Sequence, residues 1–88
     1  MKFNSSYSIE DDYFESEDYY VLIDEENGLI RLQNFLVRSS PIDDYRTLMD
    51  QEFSLAEFAQ RDDLKELVRS WFGEITVETI LTKIVELS

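Results

Sequence analysis

The feature that most constrains the fold is an Asn27-Gly28 pair between two apolar runs, YYVLID before it and LIRLQNFLV after it. Asn and Gly tolerate the positive φ angles that a tight turn between antiparallel strands requires. The pattern therefore predicts a β-hairpin over about residues 18–36. A short helix over about 29–38 is the alternative, because four apolar residues there also recur at helical spacing: Leu29, Leu32, Phe35 and Leu36.

Helix start signals dominate the chain after the hairpin. Ser40 before Pro41 is typical of a helix N-terminus, and Asp43 and Asp44 would then lie in the first turn, where the helix dipole favours negative charge. This predicts a helix over about 41–50. Ser54 and Glu57 fit a capping box, with Phe53 and Phe58 at the positions of a hydrophobic staple, which predicts a second helix over about 54–60.

Two further helices follow from apolar periodicity. After the candidate cap Asp62, four apolar residues share one helical face, and Gly73 provides a stop, so we expect a helix over about 62–72. The four residues are Leu64, Leu67, Val68 and Trp71. Because Trp71 lies on this face, we expect it in the core. Thr76 caps a last helix over about 76–87. The predicted fold class is α+β: an N-terminal β-hairpin (about 18–36), then about four short helices, in a single domain over 1–88.

Composition excludes most site chemistry. The chain has no Cys and no His, so the usual general base, the thiol nucleophile and the common transition-metal ligands are missing. We therefore expect no enzyme, no catalytic residues, no metal site and no cofactor. The segment Asp24–Gly28 departs from a calcium-loop pattern, so a charged hairpin turn is the favoured interpretation. No apolar run has the length of a signal peptide or a membrane span, so we expect a soluble, cytoplasmic protein that does not bind membranes.

The charge of the molecule is concentrated in one segment. Of 20 acidic residues, set against 8 basic ones, nine lie between Glu10 and Glu26 with no base among them. Such a field attracts a basic partner and repels nucleic acid. The arginines are scattered without forming a basic patch, so we expect no direct binding of nucleic acid.

Aromatic residues stand among these acids, which favours a binding surface over a merely solvated face. The alternative is that the charge run is only a solvated face and that the aromatic residues pack beneath the hairpin. The predicted partner-binding residues are Glu10, Asp11, Asp12, Tyr13, Glu15, Glu17, Asp18, Tyr19, Tyr20, Asp24, Glu25 and Glu26.

In size and charge the chain resembles the immunity proteins of bacterial nuclease toxins, of the contact-dependent growth inhibition or colicin type. The residues that carry this resemblance are EDDYFESEDYY at 10–20 and DEE at 24–26. The resemblance implies a cognate basic nuclease toxin as partner, a one-to-one complex, and inhibition by covering the cationic surface of the toxin.

Two other functions fit the same composition. The chain also resembles phage-encoded DNA mimics that block restriction or CRISPR effectors, although its charge is gathered in one segment and not spread along a surface. The other alternative is an acidic-aromatic recruitment segment attached to a small helical domain, which predicts that residues 1–18 are disordered when free.

Overall fold

The computed structural model describes residues 1–8, 15–38 and 44–87. Four strands form one antiparallel sheet in the order β1-β2-β3-β4, and three helices follow the last strand. The molecule is elongated, with extents of 48 × 23 × 19 Å. The strands are β1 (Lys2–Ser8), β2 (Glu15–Asp24), β3 (Leu29–Arg38) and β4 (Asp44–Ser54). The helices are α1 (Leu55–Gln60), α2 (Asp62–Phe72) and α3 (Glu74–Leu87).

The predicted arrangement of a hairpin at 18–36 and four short helices is wrong. The expected helix over about 41–50 is replaced by β4, which pairs along the whole of β3; residues 41–43 lie outside the described residues. Strand β1 was not predicted, and the alternative helix over 29–38 is strand β3. The helices expected at 54–60, 62–72 and 76–87 correspond to α1, α2 and α3.

The turn between β2 and β3 lies at the Asn27-Gly28 pair, as predicted. Four residues, 25–28, connect the paired residues Asp24 and Leu29, and Gly28 has a φ of 68°. The Asp24 carboxylate accepts hydrogen bonds from the backbone N–H of Asn27 (3.1 Å) and from its side-chain amide (2.8 Å). Because these bonds favour the charged form, they lower the pKa of Asp24.

The three helices pack on one face of the sheet and build the core there. Trp71 is buried on this face, which confirms the prediction that it is a core residue. The Ser54 hydroxyl accepts a hydrogen bond from the backbone N–H of Glu57 (3.0 Å) and caps α1, and Gly73 ends α2 with a φ of 96°. The buried core residues are Val21, Ile23, Ile30, Leu32, Leu55, Phe58, Leu64, Val68, Trp71, Val77 and Ile80.

Strand β4 contains a β-bulge at Leu48. Asn34 is opposite Met49 while Phe35 is opposite Thr47, so Leu48 is an extra residue without a counterpart on β3. Because side chains alternate between the two faces of a strand, one extra residue reverses the alternation beyond it. The side chains of residues 45–47 are therefore on the opposite face from the one that a regular strand would give them.

Candidate protein-binding surface

The sheet has a second face, opposite the helices, which we call the open face. The alternation of the strands places its side chains in rows that run across the sheet. The core side chains of the sheet point to the face on which the helices pack. Among the described residues, no helix lies over the open face. Three rows cross the middle of this face and the end that lies away from the β2–β3 turn. They are Asn4-Tyr20-Gln33-Asp50, Ser6-Asp18-Phe35-Thr47 and Ser16-Val37-Tyr45.

Three aromatic rings lie side by side on the open face, and we call Tyr20, Phe35 and Tyr45 the aromatic patch. The Phe35 ring stacks on Tyr45 with centroids 4.8 Å apart, and the Tyr20 ring lies 5.8 Å from Phe35 on its other side. Phe35 is only 8% exposed although no described helix covers it, whereas Tyr45 is 58% exposed. The flanking rings therefore help to shield Phe35, whereas Tyr45 remains exposed.

Charged groups border the aromatic patch. The Asp18 carboxylate lies beside Phe35 and accepts a hydrogen bond from the Ser6 hydroxyl (2.6 Å). The pKa of Tyr45 is raised, chiefly because desolvation disfavours its charged form and further by the nearby Tyr20 and Asp18 side chains. Asp18 and Tyr45 lie on the same face of the sheet. The ammonium group of Lys2 lies over the Tyr20 ring, 5.4 Å from its centroid, so this ring already receives a cation.

A forked ion pair lies next to the patch, between β3 and β4. Arg31 donates through Nε to one Asp50 oxygen (2.6 Å) and through a terminal nitrogen to the other (2.8 Å). Gln33 donates to the same carboxylate at 3.3 Å. The hydrogen bond from Arg31 is the main reason that the pKa of Asp50 lies below its ordinary value.

The predicted partner-binding residues that the structure describes do not form one surface. Glu10, Asp11, Asp12 and Tyr13 lie outside the described residues. Of the others, Asp18 and Tyr20 are on the open face, whereas Glu15, Glu17 and Tyr19 point to the face that carries the helices. Tyr19 packs against Trp71, with ring centroids 5.1 Å apart, which favours a structural role for it.

The other acids of the segment lie at the opposite end of β2. Asp24, Glu25 and Glu26 belong to the hairpin turn, about 30 Å from Glu15 at roughly 3.3 Å per strand residue. Glu25 forms an ion pair with Lys83 of α3 (3.1 Å). The acidic segment is continuous in sequence, but the strand divides it between two faces and two ends of the sheet.

Most of the basic residues are engaged by acids on their own part of the surface. All eight basic residues are described, and six of them form ion pairs with described acids. These six are Arg31, Arg38, Arg61, Lys65, Arg69 and Lys83. Over the whole chain, acidic residues exceed basic ones by twelve, so negative charge dominates the electrostatic field of the molecule.

Phe35 and Tyr45 were not among the predicted site residues. Phe35 lies in the predicted hairpin, where the alternation of side chains places it on the same face as Gln33 and Arg31. Because these neighbours are polar, the sequence is only a weak signal of an aromatic binding surface there. Tyr45 lies in the segment expected to be helical. Only the bulge at Leu48 brings Tyr45 to the open face, and this cannot be deduced from alternation alone.

Comparisons with protein-family models, with curated proteins and with solved structures found no match to this chain. No helix in the described part of the chain is long and apolar enough to cross a membrane. Within residues 1–8, 15–38 and 44–87, no three acidic side chains come together in a way that could hold a metal ion. The open face, with its aromatic patch and bordering carboxylates, is the candidate functional surface.

Proposed function

We propose that this protein is an acidic protein-binding inhibitor that acts as an immunity protein: it binds a basic nuclease toxin and neutralises it by covering its cationic surface. The observation that carries the proposal is the aromatic patch with Asp18 beside it, on a sheet face that no described helix covers. Tyrosine is enriched at binding hot spots, and carboxylates beside such anchors complement a positively charged surface. The proposed complex is one-to-one and cytoplasmic, where such a toxin would meet nucleic acid.

The charge balance supports a fast encounter with such a partner. A net charge of −12 on 88 residues produces a field that steers a basic protein towards the surface and raises the association rate. We therefore propose a salt-dependent association rate, with the dissociation rate set by the desolvated contacts at the aromatic rings. No enzyme activity, cofactor or direct contact with nucleic acid or membrane forms part of this proposal.

A DNA mimic is the second candidate, and the elongated shape of the molecule is the observation in its favour. A duplex carries one negative charge per roughly 1.7 Å, so a duplex as long as the 48 Å axis of the protein would carry about 28 charges. The net charge of −12 is less than half of that value. The immunity function therefore agrees better with this charge density than a DNA mimic does.

The pairing of strand β1 with β2 bears on the recruitment-segment alternative. It favours a preformed surface over a segment that is disordered when free.

Affinity capture from the lysate of the native host tests the proposed function. The tagged protein is compared with a variant that loses five acids of the segment 10–18, and with a charge-matched control that loses five acids on the helices. The first variant carries Glu10→Gln, Asp11→Asn, Asp12→Asn, Glu17→Gln and Asp18→Asn. The control carries Asp62→Asn, Asp63→Asn, Glu66→Gln, Glu74→Gln and Glu78→Gln.

The expected result is one basic protein, retained at low salt by the wild type and the control but not by the first variant. Its nuclease activity should fall in proportion to the amount of inhibitor added, with an endpoint at one equivalent. Capture of a restriction or CRISPR component would favour the DNA mimic. Capture of no basic protein, or of one whose activity is unaffected, would contradict the immunity proposal.

A further inference from the structure

We infer that the aromatic patch is a receptor for an arginine side chain of the partner. In this arrangement the guanidinium stacks on the exposed Tyr45 ring and donates hydrogen bonds to the Asp18 carboxylate. The inference rests on the proposed function, since it names the contact by which the basic partner is held. It is carried by the side-by-side arrangement of Tyr20, Phe35 and Tyr45 with Asp18 at their border.

The rings supply the stacking part of this receptor. Tyr45 is 58% exposed, and its ring stacks on the ring of Phe35. A cation over the face of a tyrosine ring is attracted by the quadrupole of the ring, which is negative at its face. The chain contains an example, because Lys2 takes this position over Tyr20.

The carboxylate supplies the charged part. Asp18 is opposite Phe35 on the neighbouring strand, on the same face of the sheet as Tyr45. Its described partner is the neutral Ser6 hydroxyl, so the negative charge is not cancelled there by a cation. At the hairpin turn, by contrast, Glu25 is already paired with Lys83.

Arginine fits this site better than lysine does. The guanidinium is planar and weakly hydrated, so it can stack on a ring and at the same time donate hydrogen bonds in its plane to a carboxylate. An ammonium group is compact and strongly hydrated, and it interacts as a point charge. The inferred receptor therefore discriminates between the two cations, whereas a purely electrostatic surface would not.

The test is an NMR titration of the full chain with a blocked (Gly-Arg)₃ peptide and, separately, with the matched (Gly-Lys)₃ peptide. Amide shifts caused by the arginine peptide should be largest at Asp18, Phe35 and Tyr45, and this peptide should bind more tightly than the lysine peptide. Tyr45→Ala should weaken arginine binding by about twofold to fivefold, the range expected for an exposed cation–π contact. Tyr45→Phe keeps the ring and should retain binding, which also separates loss of the site from loss of the fold.

Two matched pairs of variants control for charge. Asp18→Asn should weaken arginine binding more than Glu78→Gln, which removes the same charge from α3. Lys2→Ala should strengthen it more than Lys65→Ala, because Lys2 lies over a ring of the patch whereas Lys65 is on α2. A gain of binding cannot result from unfolding.

Three results would overturn the inference: shifts centred on residues 24–26 or on the helices, equal binding of the two peptides with shifts spread over the surface, or no binding of the arginine peptide at low salt. These outcomes are distinct from failure of the proposed function. If the lysate yields no basic protein, the immunity function fails even where the peptide binds the patch. If the peptide binds at the turn, the patch fails while a basic partner can still be captured.

Discussion

The ring of Tyr45 stacks on the ring of Phe35, with 4.8 Å between centroids and 29° between planes. The two residues are diagonal neighbours, because Phe35 is opposite Thr47 and Tyr45 is opposite Val37. They share a face only because Leu48 is a bulge residue. In a regular strand with Leu48 opposite Phe35, Tyr45 would point to the side of the helices.

Deletion of Leu48 should preserve the fold and the Phe35–Tyr45 stack. Without this residue Met49 and Thr47 become neighbours, so the pairing with Asn34 and Phe35 continues as a regular ladder. Nuclear Overhauser contacts between the two rings would show that the stack persists. Deletion of Gln33 from the central strand is the control and should unfold the protein, because β3 is paired on both sides. Loss of the ring contacts on deletion of Leu48 would contradict the assigned bulge.

Tyr19 and Trp71 should be energetically coupled. Their rings are 5.1 Å apart, and aromatic pairs contribute about 0.5–1.5 kcal/mol beyond the area that they bury. Trp71→Ala alone should lower the free energy of unfolding by about 3–5 kcal/mol. A double-mutant cycle with Tyr19→Ala, measured by urea unfolding, should give a coupling in the range stated for aromatic pairs.

The matched cycle uses Tyr20→Ala, because Tyr20 lies on the open face and is separated from Trp71 by the sheet. Distant substitutions usually add within about 0.5 kcal/mol, so this cycle should show no coupling. Equal coupling in the two cycles would contradict the assignment of Tyr19 and Tyr20 to opposite faces.

Asp50→Asn should reduce stability at neutral pH and have little effect in acid. The pKa of Asp50 is lowered in the folded protein, mainly by its hydrogen bond with Arg31, so folding favours the charged carboxylate. This contribution is complete above the ordinary value of 3.8 and is lost as the pH falls through the lower folded pKa. Melting temperatures of the wild type and the variant should therefore begin to converge as the pH falls below about 4, and should meet only below the folded pKa. Glu78→Gln is the control for removal of a charge, and a gap between wild type and Asp50→Asn that widens in acid would contradict the assigned ion pair.

Gly73→Ala should destabilise the protein more than Gly28→Ala. A Cβ at either position would meet no atom within 4 Å, so the cost is one of backbone conformation alone. Gly28 has a φ of 68°, in the left-handed region that other residues enter at a cost of about 1–2 kcal/mol. Gly73, at φ 96° and ψ 175°, lies in a region that is almost restricted to glycine and costs about 1–3 kcal/mol. Thermal unfolding of both variants measures the difference, and equal losses would show that the two backbone conformations cost the same.

The helices were predictable because their signals are local. The cap at Ser54, the apolar face of α2 and the stop at Gly73 each depend on a few consecutive residues. Strand β4 was not predictable in the same way. Four apolar residues of this strand recur at helix-like spacing in the sequence, and the Ser40-Pro41 signal also favours a helix. These four residues are Tyr45, Leu48, Met49 and Phe53. Strand β1 is mostly polar, so its own sequence is a weak strand signal, and its pairing with β2 identifies it as a strand.

The candidate surface was predicted only in part, because adjacent residues of a strand diverge. Asp18 and Tyr20 reach the open face while Tyr19, between them, enters the core. The sequence indicates that acids and aromatic rings are near one another along the chain. Which of them meet in space depends on the register with β3 and β4, to which distant residues contribute.

The meander order of the sheet has a kinetic consequence. Each strand pairs with its neighbour in sequence, so every hairpin can close over a short loop without waiting for a distant segment to arrive. The helices then need only fold back onto a sheet that is already formed. Residues of the β2–β3 hairpin, which closes over four residues, are therefore the natural nucleus, and substitutions there should slow refolding more than they speed unfolding.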